Sequence, residues 1–144
     1  MKFLFASDSF KGTLTSEKII SILSETANEV FSDCRCAGVP VADGGEGTVD
    51  AVVKAMHGRL RTVSVHGPLM EPVEASYGVF GDHAVIETAA ASGLPMVPAD
   101  KRNPLNTTTF GTGELIRDAL EHGYQKIAIA IGGSATNDGG MGAM

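Results

Sequence analysis

Three short stretches gather glycine around side chains that can hold charge or move a proton. Asp8-Ser9-Phe10-Lys11-Gly12 combines a carboxylate, a hydroxyl and an ammonium group. Asp43-Gly44-Gly45-Glu46-Gly47-Thr48 sets two carboxylates in nearly bare backbone. Gly132-Gly133-Ser134-Ala135-Thr136-Asn137-Asp138-Gly139-Gly140 carries two hydroxyls, an amide and a carboxylate. Glycine-rich backbone that follows a strand opens its N–H groups toward an anion, and Asp138 ought to repel that anion. Two unit charges about 4 Å apart interact by roughly 4 kcal/mol at an effective dielectric of 20. The conflict disappears when the ligand brings a cation with its phosphates, as magnesium-nucleotide does. Phosphoryl transfer is the reaction class that most often needs this mixture.

Each residue also has a plainer reading. Asp43 can cap the helix that follows it, Lys11 can be solvated, and Ser134 and Thr136 can bond their own turn. Asp138 can be a turn former. Thr107-Thr108-Thr109 with Gly111-Thr112-Gly113 reads either as a helix-entry loop or as an anion cradle. Glu87 interrupts the apolar segment Ala84–Ala89, and a buried carboxylate is costly unless paired. It either faces a wet cleft or caps local backbone. His57, His66, His83 and His122 lack metal-ligand spacing and read as surface residues. No stretch is a Walker A loop, and Gly111-Thr112-Gly113 lacks the third glycine of a dinucleotide fingerprint, which counts against a nicotinamide enzyme.

The elements that must position these loops follow from periodicity. Lys2–Ala6 reads as a strand, and Thr15 can cap a helix reaching about Phe31, with Ile19, Ile20, Leu23, Ala27, Val30 and Phe31 on one face. A second strand spans 37–42 and a helix 47–56, with Val49, Val52, Val53 and Met56 inward. This alternation predicts a parallel α/β unit whose strand-end loops share the ligand-binding edge. From Arg59 the grammar changes. Segments 59–66 and 72–80, a Gly67-Pro68 turn and the strand 84–87 predict an antiparallel meander. Residues 89–93 are short, 100–106 form a loop, and a helix over 113–121 buries Leu115, Ile116, Ala119 and Leu120. Gln125–Ile131 is a β-branched strand. The expected fold is therefore α/β: a flavodoxin-like or Rossmann-like parallel unit over 1–58, then part of a second α/β domain with an antiparallel meander over 59–144. A helix should follow the last glycine loop, and its absence before Met144 predicts that the chain is the N-terminal part of something longer.

The 144 residues carry a net charge of −6 with no basic run, which disfavours nucleic acid and anionic membrane as partners. No apolar stretch nears the roughly 20 residues of a membrane span, and the start reads as a strand rather than a signal peptide. Cys34 and Cys36 form no disulfide framework and read as small half-buried residues in a reducing, cytoplasmic setting.

The stretches SDSFKGTLTS, PVADGGEGT, ETAAASGL, NPLNTTTFGTGELI and IGGSATNDGGMGAM resemble, in order and spacing, the bacterial glycerate kinases. The resemblance implies two-domain α/β proteins, one domain flavodoxin-like, more than twice this length. It implies ATP-dependent phosphorylation of D-glycerate to 2-phosphoglycerate, with Mg2+ as cofactor. Within that reading Asp8, Lys11, Asp43 and Asp138 are the candidate catalytic residues. Ser9, Gly44, Gly45, Glu46, Thr107, Thr108, Thr112, Gly132, Gly133, Ser134, Thr136 and Asn137 are candidates for substrate and phosphate. Asp43, Glu46 and Asp138 are candidates for the metal. Association into a homo-oligomer is a further expectation. The competing expectation is a truncated, inactive chain that only binds an acidic metabolite or a partner.

Overall fold

The computed structural model describes residues 1–10 and 13–144. They form two compact units, Met1–Asp43 and Gly44–Met144. In the first, β1 (Lys2–Ser7) pairs in parallel with β2 (Arg35–Pro40), and α1 (Ser16–Val30) connects them. The Thr15 hydroxyl accepts the Lys18 amide at 3.3 Å, so the expected N-cap forms. Gly38 lets α1 lie close on β2, because any Cβ there would collide with Ile20. Ser7 pairs with Pro40, so the segments carrying Asp8 and Asp43 leave the two strands at the same edge. Strand β2 starts and ends two residues before the range read from the sequence, and Leu23, Val30 and Phe31 are exposed instead of inward.

The second unit is built on a four-stranded mixed sheet. Its order is β3 (Arg59–His66), β4 (Pro72–Phe80), β5 (His83–Glu87) and β6 (Lys126–Ala130). The first three run antiparallel, while β5 and β6 run parallel, joined through α3 (Ala89–Ser92) and α4 (Phe110–Glu121). The period of two sorts the strand residues onto two faces. Ala75, Tyr77 and Val79 of β4, with Ala84 and Ile86 of β5, form the buried core against Leu115 and Ala119 of α4. On the other face, α2 (Thr48–Ala55) lies against β4 and β5. Gly78 permits that approach, since a Cβ would come within 2.5 Å of Val53 and 2.8 Å of Val85. Parallel and antiparallel pairings thus coexist, as the α/β reading with a meander expected.

Helix α2 packs on β4 and β5, so compactness divides the chain between Asp43 and Gly44. The strand pattern had suggested a division near residue 58, where the helix-strand alternation gives way to hairpins. Helix α4 begins three residues earlier than its periodicity indicated, and Leu120 and Met56 are exposed, not inward. After β6 the chain makes only a short 3-10 turn, Met141–Ala143.

Polar staples fix α4 to the sheet. Arg61 donates to Asp118 at 2.6 and 3.1 Å, and the Tyr77 hydroxyl donates to the same carboxylate at 2.7 Å. The hydrogen bond from Arg61 holds the Asp118 carboxyl below its ordinary range, with Tyr77 adding to it. His66, read as a surface residue, is half-buried and its amide donates to Glu114 at 2.7 Å.

Candidate functional site

Four loops of the second unit meet at the C-terminal ends of β5 and β6, the edge where α/β sheets bind ligands. They are the segments 44–48, 88–94, 107–113 and 131–144. The Gly132 amide donates to the Gly44 carbonyl at 2.7 Å, and the Thr88 amide to Ala130 at 2.9 Å. The Leu94 amide donates to the Gly133 carbonyl at 2.9 Å, and the Ala135 amide to Ser92 at 2.8 Å. Only glycine fits at 132, where a Cβ would lie 2.7 Å from the Gly45 Cα and 2.8 Å from the Gly44 carbonyl oxygen. Glycine there is a requirement of close backbone approach.

Side chains complete the lacing. The Thr136 hydroxyl donates to the Thr107 carbonyl at 2.9 Å, and the Thr107 hydroxyl donates to the Ala135 carbonyl at 3.0 Å. Thr112 and Ser92 share a hydrogen bond of 2.9 Å inside the protein. The Thr108 hydroxyl accepts the Phe110 amide at 3.2 Å. Ser134 bonds within its own turn, accepting the Thr136 amide at 3.2 Å. The plainer reading of Ser134 thus describes a real bond within its turn, whereas the Thr136 hydroxyl ties the loop to the segment carrying Thr107.

Asp138 answers its own puzzle differently from the sequence reading. Its Oδ2 accepts the Thr109 amide and hydroxyl, both at 2.8 Å, and the Gly142 amide at 3.2 Å. Its Oδ1 accepts the Gly140 amide at 2.9 Å. Part of the glycine loop thus wraps around an anion supplied by the chain itself. Gly140, with φ of 79°, reaches the left-handed conformation that this wrapping needs. Burial opposes ionisation of Asp138, but the bonds from Thr109, Gly140 and Gly142 outweigh it and hold the carboxyl below the usual aspartate range. A carboxylate has about four acceptor sites; Oδ2 carries three donors and Oδ1 one, so Asp138 organises this loop.

Glu87, which the sequence left between two readings, is buried and accepts the Val49 amide at 2.7 Å. It caps α2. Burial pushes its carboxyl up, and Asp50 and Glu46 push the same way, while the Val49 and Thr48 amides pull against them. The signal was present in the sequence, a carboxylate on the alternate face of an apolar strand, but not the identity of its partner. Thr109, read only as part of a possible anion cradle, was not tied to Asp138 for a similar reason: the two lie 29 positions apart.

The other candidates distribute as follows. Gly44, Gly45, Gly132, Gly133, Ser134, Thr136, Asn137, Asp138, Thr107, Thr108 and Thr112 all lie in the four laced loops or at the start of α4. Glu46 is exposed in the first of them, and Asn137 is exposed in the last. Asp8, Ser9 and Asp43 belong to the first unit. There the Asp8 carboxylate accepts the Ser9 amide at 2.7 Å, and Asp43 is exposed. Lys11 lies outside the described residues. Among the described residues, no group of three or more His, Cys, Asp or Glu is arranged to hold a metal ion, and no helix is long and apolar enough to cross a membrane.

Comparison with known proteins brings these motifs into one frame. The sequence model of the glycerate kinase family matches residues 3–144. Glycerate 2-kinase of Escherichia coli (strain K12) is 54% identical over 144 residues, covering 99% of this chain and 38% of that protein. Glycerate kinase of Bacillus subtilis (strain 168) shows the same identity and the same shares. A solved structure described as a glycerate kinase 2 from Salmonella typhimurium LT2 superposes with a TM-score of 0.77 at 50% identity. It covers 99% of this chain and 39% of that one. The chain therefore spans less than two-fifths of the length of the curated relatives it matches.

Proposed function

The chain belongs to the glycerate kinase family, and from that premise we propose that it serves ATP-dependent phosphorylation of D-glycerate to 2-phosphoglycerate. The observation that carries the proposal is the meeting of four loops at one sheet edge in the second unit, tied by Gly132 to Gly44, Thr136 to Thr107 and Asp138 to Thr109. Transfer of a phosphoryl group rests on positioning and on neutralising charge, and a laced, glycine-rich edge supplies rigid backbone for both.

Magnesium enters with ATP as part of the substrate and would neutralise phosphate charge when bound. Asp43 and Glu46, exposed and three positions apart in sequence, are the carboxylates proposed to meet it. Asp138 keeps its proposed place in the site by shaping the loop that carries Gly133, Ser134 and Asn137. Lys11 is assigned to the glycerate carboxylate or the transferring phosphoryl group, and Ser9 to substrate or phosphate. Asp8 and Asp43 are the candidates for the base that takes the hydroxyl proton. The cytoplasm, where free thiols such as Cys34 and Cys36 persist, and association with a second copy complete the reading.

An enzyme-coupled assay of ADP release tests it, run with D-glycerate and magnesium-ATP. Two samples are compared: the 144-residue chain, and a hybrid in which it replaces the matching part of the Escherichia coli relative. Glycerate-dependent ADP release by the hybrid supports the proposal; none, with the relative active beside it, refutes it. The share of the relatives' length that the chain spans favours one second reading, that the chain alone binds without turnover. A ligand-induced rise in melting temperature without ADP release would identify that case.

A further inference from the structure

Helices that begin in a loop usually carry a serine, threonine, aspartate or asparagine at the cap. Helix α2 does not. Its cap is Gly47, left-handed at φ 91°, with no side-chain hydrogen bond. The donor at Val49 is met instead from across the sheet by Glu87, the last residue of β5. Glu87 points to the α2 face by the same alternation that turns Ala84 and Ile86 toward α4. The arrangement is costly, because a carboxylate is buried beside Glu46 and Asp50, which oppose its ionisation. At φ 91° position 47 suits glycine, because a side chain there would be strained, so the first turn of α2 takes its acceptor from Glu87.

The segment is pinned at both ends, Gly44 by the Gly132 amide at 2.7 Å and Val49 by Glu87 at 2.7 Å. Between the pins lie Gly45, Glu46, Gly47 and Thr48. Glu87 pairs in register with Ala130 of β6, two residues before Gly132, so both pins hang from the ends of the same two parallel strands. We infer that Glu87 is a positioning residue of the phosphoryl-transfer site: it acts through the Val49 amide to hold the loop 44–48 and its Glu46 in place without needing a side chain at position 47. This rests on the kinase reading of the site.

Two readouts test it separately. The first is amide hydrogen exchange at Val49 in the 144-residue chain, which needs no activity. The second is the KM for magnesium-ATP and kcat in the hybrid kinase. Glu87→Gln keeps an acceptor oxygen and should stay within about threefold of the parent in exchange rate, KM and kcat. Glu87→Asp keeps the charge but is one methylene too short. It should speed Val49 exchange at least about tenfold and raise KM by a similar factor. A Glu87→Asp variant indistinguishable from the parent in both readouts would overturn the inference. So would a Glu87→Gln variant that keeps Val49 protected yet loses turnover, since the charge itself would then act on the reactants. If the unsubstituted hybrid makes no ADP, the kinase reading fails, and the exchange data still decide whether Glu87 holds the loop.

Discussion

Replacing Asp138 by asparagine tests the claim that the last glycine loop is folded around an internal anion. The least damaging rotamer keeps an oxygen against Thr109 and Gly142, which donate at 2.8 and 3.2 Å. The amide NH2 then faces the Gly140 amide, so one hydrogen bond is lost and three lose their charge assistance. A hydrogen bond to a charged group contributes about 1.5–3 kcal/mol against about 1 for a neutral pair. The site is half-buried, so water recovers part of the loss, and the expected cost is about 2 kcal/mol. In a domain of this size that corresponds to a fall in Tm of about 4–8 °C. The sign of the pH dependence is fixed by the direction of the Asp138 shift. A carboxyl held below its ordinary range adds stability that is present above the unfolded value, near 3.9. That stability is lost as pH falls through the folded value. The gap between parent and variant should therefore be full at pH 7 and close as the pH drops below about 4. Differential scanning calorimetry across that range measures it. Equal melting temperatures at pH 7, or a gap that survives unchanged in acid, would refute the internal-anion account.

Other outcomes follow from the same structure. Gly132→Ala should destabilise the chain by about 1–3 kcal/mol, because the methyl group meets Gly45 and Gly44. It should also raise the KM for ATP in the hybrid, as read by chemical denaturation and steady-state kinetics. Asp118→Asn removes the charge that Arg61 and Tyr77 share and should lower stability by about 1–2 kcal/mol, with Arg61 partly exposed to solvent. Its KM and kcat should match the parent, since none of these groups lies in the four loops. Asp43→Asn should abolish turnover of the hybrid while leaving its melting curve in place, and wild-type rates would remove Asp43 from the mechanism.

Much of the fold was legible because its signals are local. The alternation along β4 and β5 and the Thr15 cap report themselves within a few residues. The stretches that resemble glycerate kinases were equally plain, since each is contiguous. What escaped the sequence was pairing at a distance. That α2 packs on β4 depends on Gly78, and periodicity only says that α2 has an apolar face. The partners of Asp138 escaped the sequence for a related reason. Its residue type and glycine neighbours suit a metal-bridged phosphate, but four donors, two of them from Thr109, already occupy it. Glu87 shows the same limit, because a buried carboxylate announces a partner without naming it.

Hydrogen–deuterium exchange of the hybrid kinase, with and without magnesium-ATP and D-glycerate, asks whether the laced edge is where the ligands bind. Slower exchange in peptides covering 44–48 and 131–144, with 72–80 unchanged, is the predicted result. Bound ligands that slow exchange elsewhere and leave both of those segments untouched would contradict it.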